Sequence, residues 1–120
     1  MIKILFVCTA NRDRSPTAEC IYVERQGVLA KSAGTSSNAR IPLSEDLIRW
    51  ADIIICMENR HKLHIEKAYA GIIVAKTIEY LDIPDIYPYM HQVLIETVRE
   101  KSDAIIAAFS RARRTESGEK

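Results

Sequence analysis

Apolar residues gather in short unbroken runs near the start and middle of the chain, and elsewhere recur at steps of three and four. Residues 2–7 are apolar except for Lys3, a run suited to a strand buried on both faces of a parallel sheet. Ser15-Pro16 fits a helix cap followed by proline in the first turn. Ala18, Ile21, Tyr22, Arg25 and Leu29 follow at helical steps, which predicts a helix over about 16–27. Residues 31–34 predict a short second strand, and 35–42, rich in Ser, Asn and Pro, a loop. Ser44 is placed to cap a helix through Trp50, and 51–57, containing Asp52-Ile-Ile-Ile-Cys56, predict a third buried strand. A helix over 58–69 with Gly71 as its terminator, a fourth strand over 71–75 or slightly beyond, and an irregular stretch over 77–89 complete the middle. Leu94, Val98, Ile105 and Phe109 predict a last helix over 93–109.

Strand and helix alternate four times. That pattern implies an α/β fold, a three-layer sandwich around a four-stranded parallel sheet of Rossmann-like kind. Ligands in such folds bind beyond the carboxyl ends of the strands, where Cys8 falls. Residues 1–110 read as a single domain. From Ser110 the chain is polar, and 111–120, with Arg111, Arg113 and Arg114, read as a fraying basic tail.

Composition narrows the functions. With 17 basic and 16 acidic residues the net charge is +1, so neither nucleic acid nor a membrane surface is an expected partner. Any anion site must be built locally. No apolar run is long enough to cross a membrane. The three cysteines, Cys8, Cys20 and Cys56, match no zinc or disulfide framework, and a reducing cytoplasm is the default location. His61, His64 and His91 stand at no convincing metal spacing, so surface or supporting roles are expected and no metal or organic cofactor is implied. Cys20 and Cys56 read as structural, and Tyr22, Trp50 and Phe109 as core or near-core residues.

The segment from Cys8 to Ser15 is the exception to this plain picture. A polar loop running from a strand into a helix turns several N–H groups inward, and the helix N-terminus adds positive potential. Arg14 supplies a planar fork that grips two oxygens of a tetrahedral oxyanion. The same potential favours a thiolate at Cys8, a nucleophile placed beside a bound phosphate.

Residues 4–19, with Cys8-Thr9-Ala10-Asn11-Arg12-Asp13-Arg14-Ser15 at their centre, resemble the signature of the low-molecular-weight protein tyrosine phosphatases. Residues 32–35, 51–61 and 83–87 are similar to that family's second strand, third strand and acid-bearing loop, and the likeness is closest to a compact bacterial subgroup. The resemblance implies a hydrolase, a protein tyrosine phosphatase acting through phosphocysteine. Cys8 would be the nucleophile, Arg14 the phosphate clamp and Asp85 the general acid. Ser15 would donate to the Cys8 sulfur, Asn11 would hold the loop in its strained shape, and Tyr87 would wall the pocket rim. Thr9, Ala10, Arg12 and Asp13 would complete the phosphate-binding loop.

The substrate implied is a phosphorylated protein or a small aryl phosphate. Three departures stand out. Ala10 replaces the usual glycine, Asp13 stands where a second loop cysteine is common, and the acid loop reads Asp85-Ile86, not Asp-Pro, with Asp82 as a rival acid. Arsenate reduction on the same fold is an alternative function, although it needs more thiols after Cys56; a non-catalytic phosphate-binding module is another.

Overall fold

The central strand comes first in the chain. In the computed structural model, which describes residues 1–116, β1 (Ile2–Cys8) pairs in parallel with β2 (Val28–Gly34) on one side and β3 (Ile53–Cys56) on the other. The fourth strand, β4 (Thr77–Tyr80), pairs in parallel with β3, giving the order β2-β1-β3-β4. Residues of β1 alternate between two cores. Ile4, Phe6 and Cys8 face α1 (Arg14–Tyr22) and α4 (Gln92–Glu116), packing with Tyr22, Leu94 and Val98. Leu5 and Val7 face α2 (Glu45–Trp50) and α3 (Asn59–Ala68), packing with Ile48, Ile65 and Cys56. Both faces are therefore covered, which is why the β1 sequence is continuously apolar rather than alternating. Each fully buried aliphatic or Phe contributes about 2 kcal/mol of transfer free energy. The α/β architecture and its parallel sheet are as the alternation implied.

Element bounds differ in four places. Helix α1 ends at Tyr22, not near residue 27, because β2 already begins at Val28, paired with Ile2. The chain turns between them at Gly27, whose φ of 82° is a left-handed value suited to glycine. Leu29 consequently lies in β2 and not on the helix. The start of α1 also moves: it is Arg14, with Asp13 at the cap position, and the Ser15 hydroxyl caps nothing because it is turned to the Cys8 sulfur. Pro16 sits in the first turn, where no intrahelical N–H is lost.

The fourth strand is at Thr77–Tyr80 and not at 71–75. The amides of Ile72 and Lys76 close turns onto Tyr69 and Ile73 carbonyls, so they are unavailable to a ladder. Ile72 and Ile73 instead pack as a cap on the second core. Finally, α4 does not fray at Ser110. It continues through Arg111, Arg113 and Arg114 to Glu116, with Arg113 over the Phe109 ring at 4.9 Å and 3.5 Å from Asp52. The remainder of the expected tail, 117–120, lies outside the described residues. Among the described residues no helix is long and apolar enough to cross a membrane.

Candidate active site

Strand β1 carries Cys8 to the carboxyl edge of the sheet, and the loop over 9–13 folds back above it. Asn11 adopts φ 55°, a left-handed value that asparagine tolerates better than most residues. This aims the Asn11 amide at the Cys8 sulfur, 3.2 Å away. Ala10 is not among the positive-φ residues, so its methyl is no obstacle to the loop shape. The loop rests directly on Gly34, where a Cβ would stand 2.4 Å from the Thr9 carbonyl oxygen.

A chain of hydrogen bonds fixes the loop from beneath. The Asn11 side-chain amide donates to Ser15 Oγ and to Ser32 Oγ, each at 2.9 Å, and Ser32 in turn donates to Glu19. Ser15 Oγ lies 2.9 Å from Cys8 Sγ and 3.3 Å from the Ala33 carbonyl oxygen. One hydroxyl hydrogen has two acceptors. With a thiol at Cys8 it can remain on Ala33; with a thiolate it swings to the sulfur, a charge-assisted bond roughly twice as strong as a neutral one.

Arg14 is buried, 2% exposed, at the start of α1. Its Nη1 donates to Glu58 Oε2 and, at 2.8 Å, to the Ile83 carbonyl oxygen. Nε and Nη2 form the edge left for a ligand. Glu58 also accepts from Arg60, and the two cations, Arg60 foremost, hold its carboxyl down to about 2. His61, three residues on, closes a capping box: its Nδ1 accepts from the Glu58 amide at 3.1 Å. That fixes the tautomer, so Nε2–H donates to Thr9 Oγ1 at 2.8 Å. Burial, with Arg14 and Arg60 nearby, pushes the imidazole down to about 4.

His61 was expected at the surface or in a supporting role; it is 1% exposed and supports the loop. Neither its bond to Thr9 nor the Glu58 clamp on Arg14 is readable from sequence, although Glu58 and His61 at a spacing of three carry the capping-box signal. The unfolded chain takes up a proton on His61 near pH 6.5, which the folded chain refuses until about pH 4. Stability is thus greatest above pH 6.5 and falls as pH drops through that window, by about 3 kcal/mol from this group. Denaturant titrations at pH 7.5 and 4.5 check this. The parental chain should lose that much more stability between the two than His61→Gln, and equal losses would contradict it. Glu58, whose unfolded carboxyl titrates near 4.5, is present in both chains, so its own loss cancels in the comparison.

Cys8, Ala10, Arg12, Asp13, Arg14 and Asp85 line a cavity of about 240 Å³. Asp85 Oδ1 stands 3.6 Å from Arg14 Nε, with its side chain 62% exposed toward the mouth. Asp82 is exposed, at φ 57°, and does not line this cavity. The segment carrying Asp85 is pinned at both ends from the Cys8–Ser15 side: Arg14 holds the Ile83 carbonyl, and Asp13 Oδ1 accepts from the Tyr89 amide at 3.0 Å. Thr17 Oγ1 accepts from the next amide, Met90, at 2.9 Å. Asp13 therefore serves as a loop anchor as well as a charge. Tyr87, expected at the rim, does not line the cavity; it packs on the first core and against His91, ring centroids 5.3 Å apart. Cys20, expected to be structural, is exposed, whereas Cys56 is buried. A larger cleft of about 550 Å³ lies at the opposite end of the sheet near Asp52, Lys76 and Arg113, and holds no nucleophile.

No family model matches the chain. A protein-arginine-phosphatase of Bacillus subtilis (strain 168) is 34% identical over 86 residues; the match covers 49% of this chain and 57% of that protein, little more than half its length. Among solved structures, the YwlE arginine phosphatase from Geobacillus stearothermophilus superposes with a TM-score of 0.70 at 24% identity, over 97% of both chains. SP-PTP, a low molecular weight protein tyrosine phosphatase from Streptococcus pyogenes, gives 0.69 at 17% identity, over 87% of this chain and 93% of its own. The fold of this chain is that of the low-molecular-weight phosphatases, the tyrosine- and arginine-named proteins alike.

Proposed function

We propose that the chain is a phosphomonoester hydrolase acting through a phosphocysteine on Cys8, with phosphotyrosyl protein as its substrate. One observation carries this reading. The Cys8 sulfur, held by Ser15 and the Asn11 amide, opens into the same small cavity as Arg14 and Asp85. The thiolate attacks phosphorus in line, forming an S–P bond as the P–O bond to the leaving group breaks. Arg14 Nε and Nη2, with the loop amides, hold the equatorial oxygens, and Asp85 gives its proton to the departing oxygen. Water then attacks the phosphocysteine with Asp85 as base, and the thiolate leaves, stabilised by Ser15. Three free cysteines, one of them the working thiol, suit a reducing cytoplasm.

A second reading, phosphoarginine as substrate, is supported by the names of the Bacillus and Geobacillus relatives. Phosphotyrosyl and phosphoarginyl peptides of one backbone sequence decide between them. After rapid quench, mass spectrometry should find phosphate on the Cys8 peptide, with phosphate release from the tyrosyl substrate. Release from the arginyl peptide alone would shift the assignment to the second reading. No phosphocysteine with either would reject both.

A further inference from the structure

A second concavity, about 520 Å³, adjoins the catalytic cavity and shares Arg12 with it. Its other charged wall is Arg40, and its apolar surface comes from Pro16, Val23 and Tyr89. Val23 is 72% exposed and Tyr89 51%, so both present apolar surface to the groove. Among the described residues the Arg12 guanidinium makes no hydrogen bond or ion pair. Arg40 uses only Nε, donating to the Asn11 carbonyl at 3.1 Å, which leaves both terminal nitrogens free. Glu19, also on this wall, accepts from Ser32 through one oxygen and keeps its negative charge, so the groove carries two cations against one anion. The groove thus offers the Arg12 guanidinium and the terminal nitrogens of Arg40 above an apolar floor, beginning beside the Cys8 cavity.

We propose that this groove receives the residues flanking the phosphorylated side chain of a protein substrate, and that it selects an acidic flanking residue. The proposal rests on the hydrolase reading, because its occupant is tethered to a phosphate in the adjoining cavity. A carboxylate one or two residues from the phosphorylated position pairs with Arg12 and Arg40, while a neighbouring apolar side chain covers Val23 and Tyr89. Solvent-exposed pairs are individually weak. Two of them, set against the repulsion of a lysine flank, amount to about a tenfold preference.

Cys20 opens into the same groove and gives a readout independent of turnover. In a Cys8→Ala chain it is the accessible thiol, since Cys56 is buried. A phosphopeptide with glutamate on both sides should slow maleimide labelling of Cys20, while saturating phenyl phosphate, which fills only the phosphate pocket, should not. In the parental protein, kcat/KM for the glutamate-flanked peptide should exceed that for its lysine-flanked twin about tenfold. Val23→Glu, an exposed change remote from the phosphate loop, should collapse that ratio and leave phenyl phosphate hydrolysis unchanged. The series is run on whichever phosphorylated residue is turned over. Equal rates for both peptides, with Cys20 unprotected by either, would overturn the groove assignment. Failure to hydrolyse any of the phosphorylated substrates, tyrosyl or arginyl, would instead overturn the hydrolase reading.

Discussion

Arg14→Lys should lower kcat/KM for an aryl phosphate by about two to three orders of magnitude. The reason lies in how the guanidinium is divided. Nη1 is consumed by Glu58 and by the Ile83 carbonyl, so one residue both secures its own position and presents a second edge to the phosphate. Lysine is a compact point charge and cannot do both. If the ammonium stays with Glu58, the equatorial oxygens lose a bidentate partner. If it turns to the phosphate, the Glu58 carboxylate loses its buried cation and the Ile83 end of the acid loop is released. Steady-state kinetics with para-nitrophenyl phosphate measure the loss, and inorganic phosphate inhibition should weaken in parallel. Near-parental kcat/KM would mean that Arg14 is a structural cation only.

The second large effect is selective. A tyrosine phenolate, whose conjugate acid has a pKa of about 10, needs a proton as its bond to phosphorus breaks, whereas a nitrophenolate leaves readily without one. Asp85→Asn should therefore depress turnover by about a hundredfold or more for phosphotyrosine, and far less for a nitrophenyl ester. A plot of rate against leaving-group basicity should steepen. Asp82→Asn should leave that plot unchanged, because Asp82 lies outside the cavity that Asp85 lines. Steepening for Asp82→Asn with none for Asp85→Asn would exchange the two roles. Anchoring sharpens the expectation. Arg14 and Asp13 hold the loop two residues before and four after Asp85, so its reach is set by the phosphate loop itself.

What could be read from sequence follows the physics of each segment. Strand β1 was legible because burial on both faces leaves an unbroken apolar run, and α2 because Ser44 caps it, its Oγ accepting from the Leu47 amide. The phosphate loop was legible because strand, polar turn and helix start have separate signatures. The end of α1 was not: the apolar steps continue through Leu29, but β2 claims that residue by pairing with Lys3 of β1. Strand β4 was displaced because Ile72 and Ile73 look like a strand in one dimension and act as packing for a turn in three. Ser15 suits both a cap and a sulfur partner in sequence, and only the folded geometry gives its hydroxyl to the sulfur. The anchoring of Tyr89 by Asp13 and of Arg14 by Glu58 carries no local signal. The partners in these two pairs are 76 and 44 residues apart in sequence.

The two cores also decide how the nucleophile ages. Cys8 belongs to one and Cys56 to the other, on opposite faces of the sheet. Cys20 is five residues along α1 from Ser15, a rise of about 7.5 Å, and emerges at the surface on another side of the helix. A disulfide needs Cβ vectors that converge, a demand Cys56 does not meet from the far face of the sheet, while Cys20 is exposed and Cys8 buried. A sulfenic acid formed on Cys8 by peroxide is therefore expected to find no partner in Cys56. It must be rescued by a small thiol small enough to enter the phosphate cavity, or proceed to sulfinic and sulfonic acid.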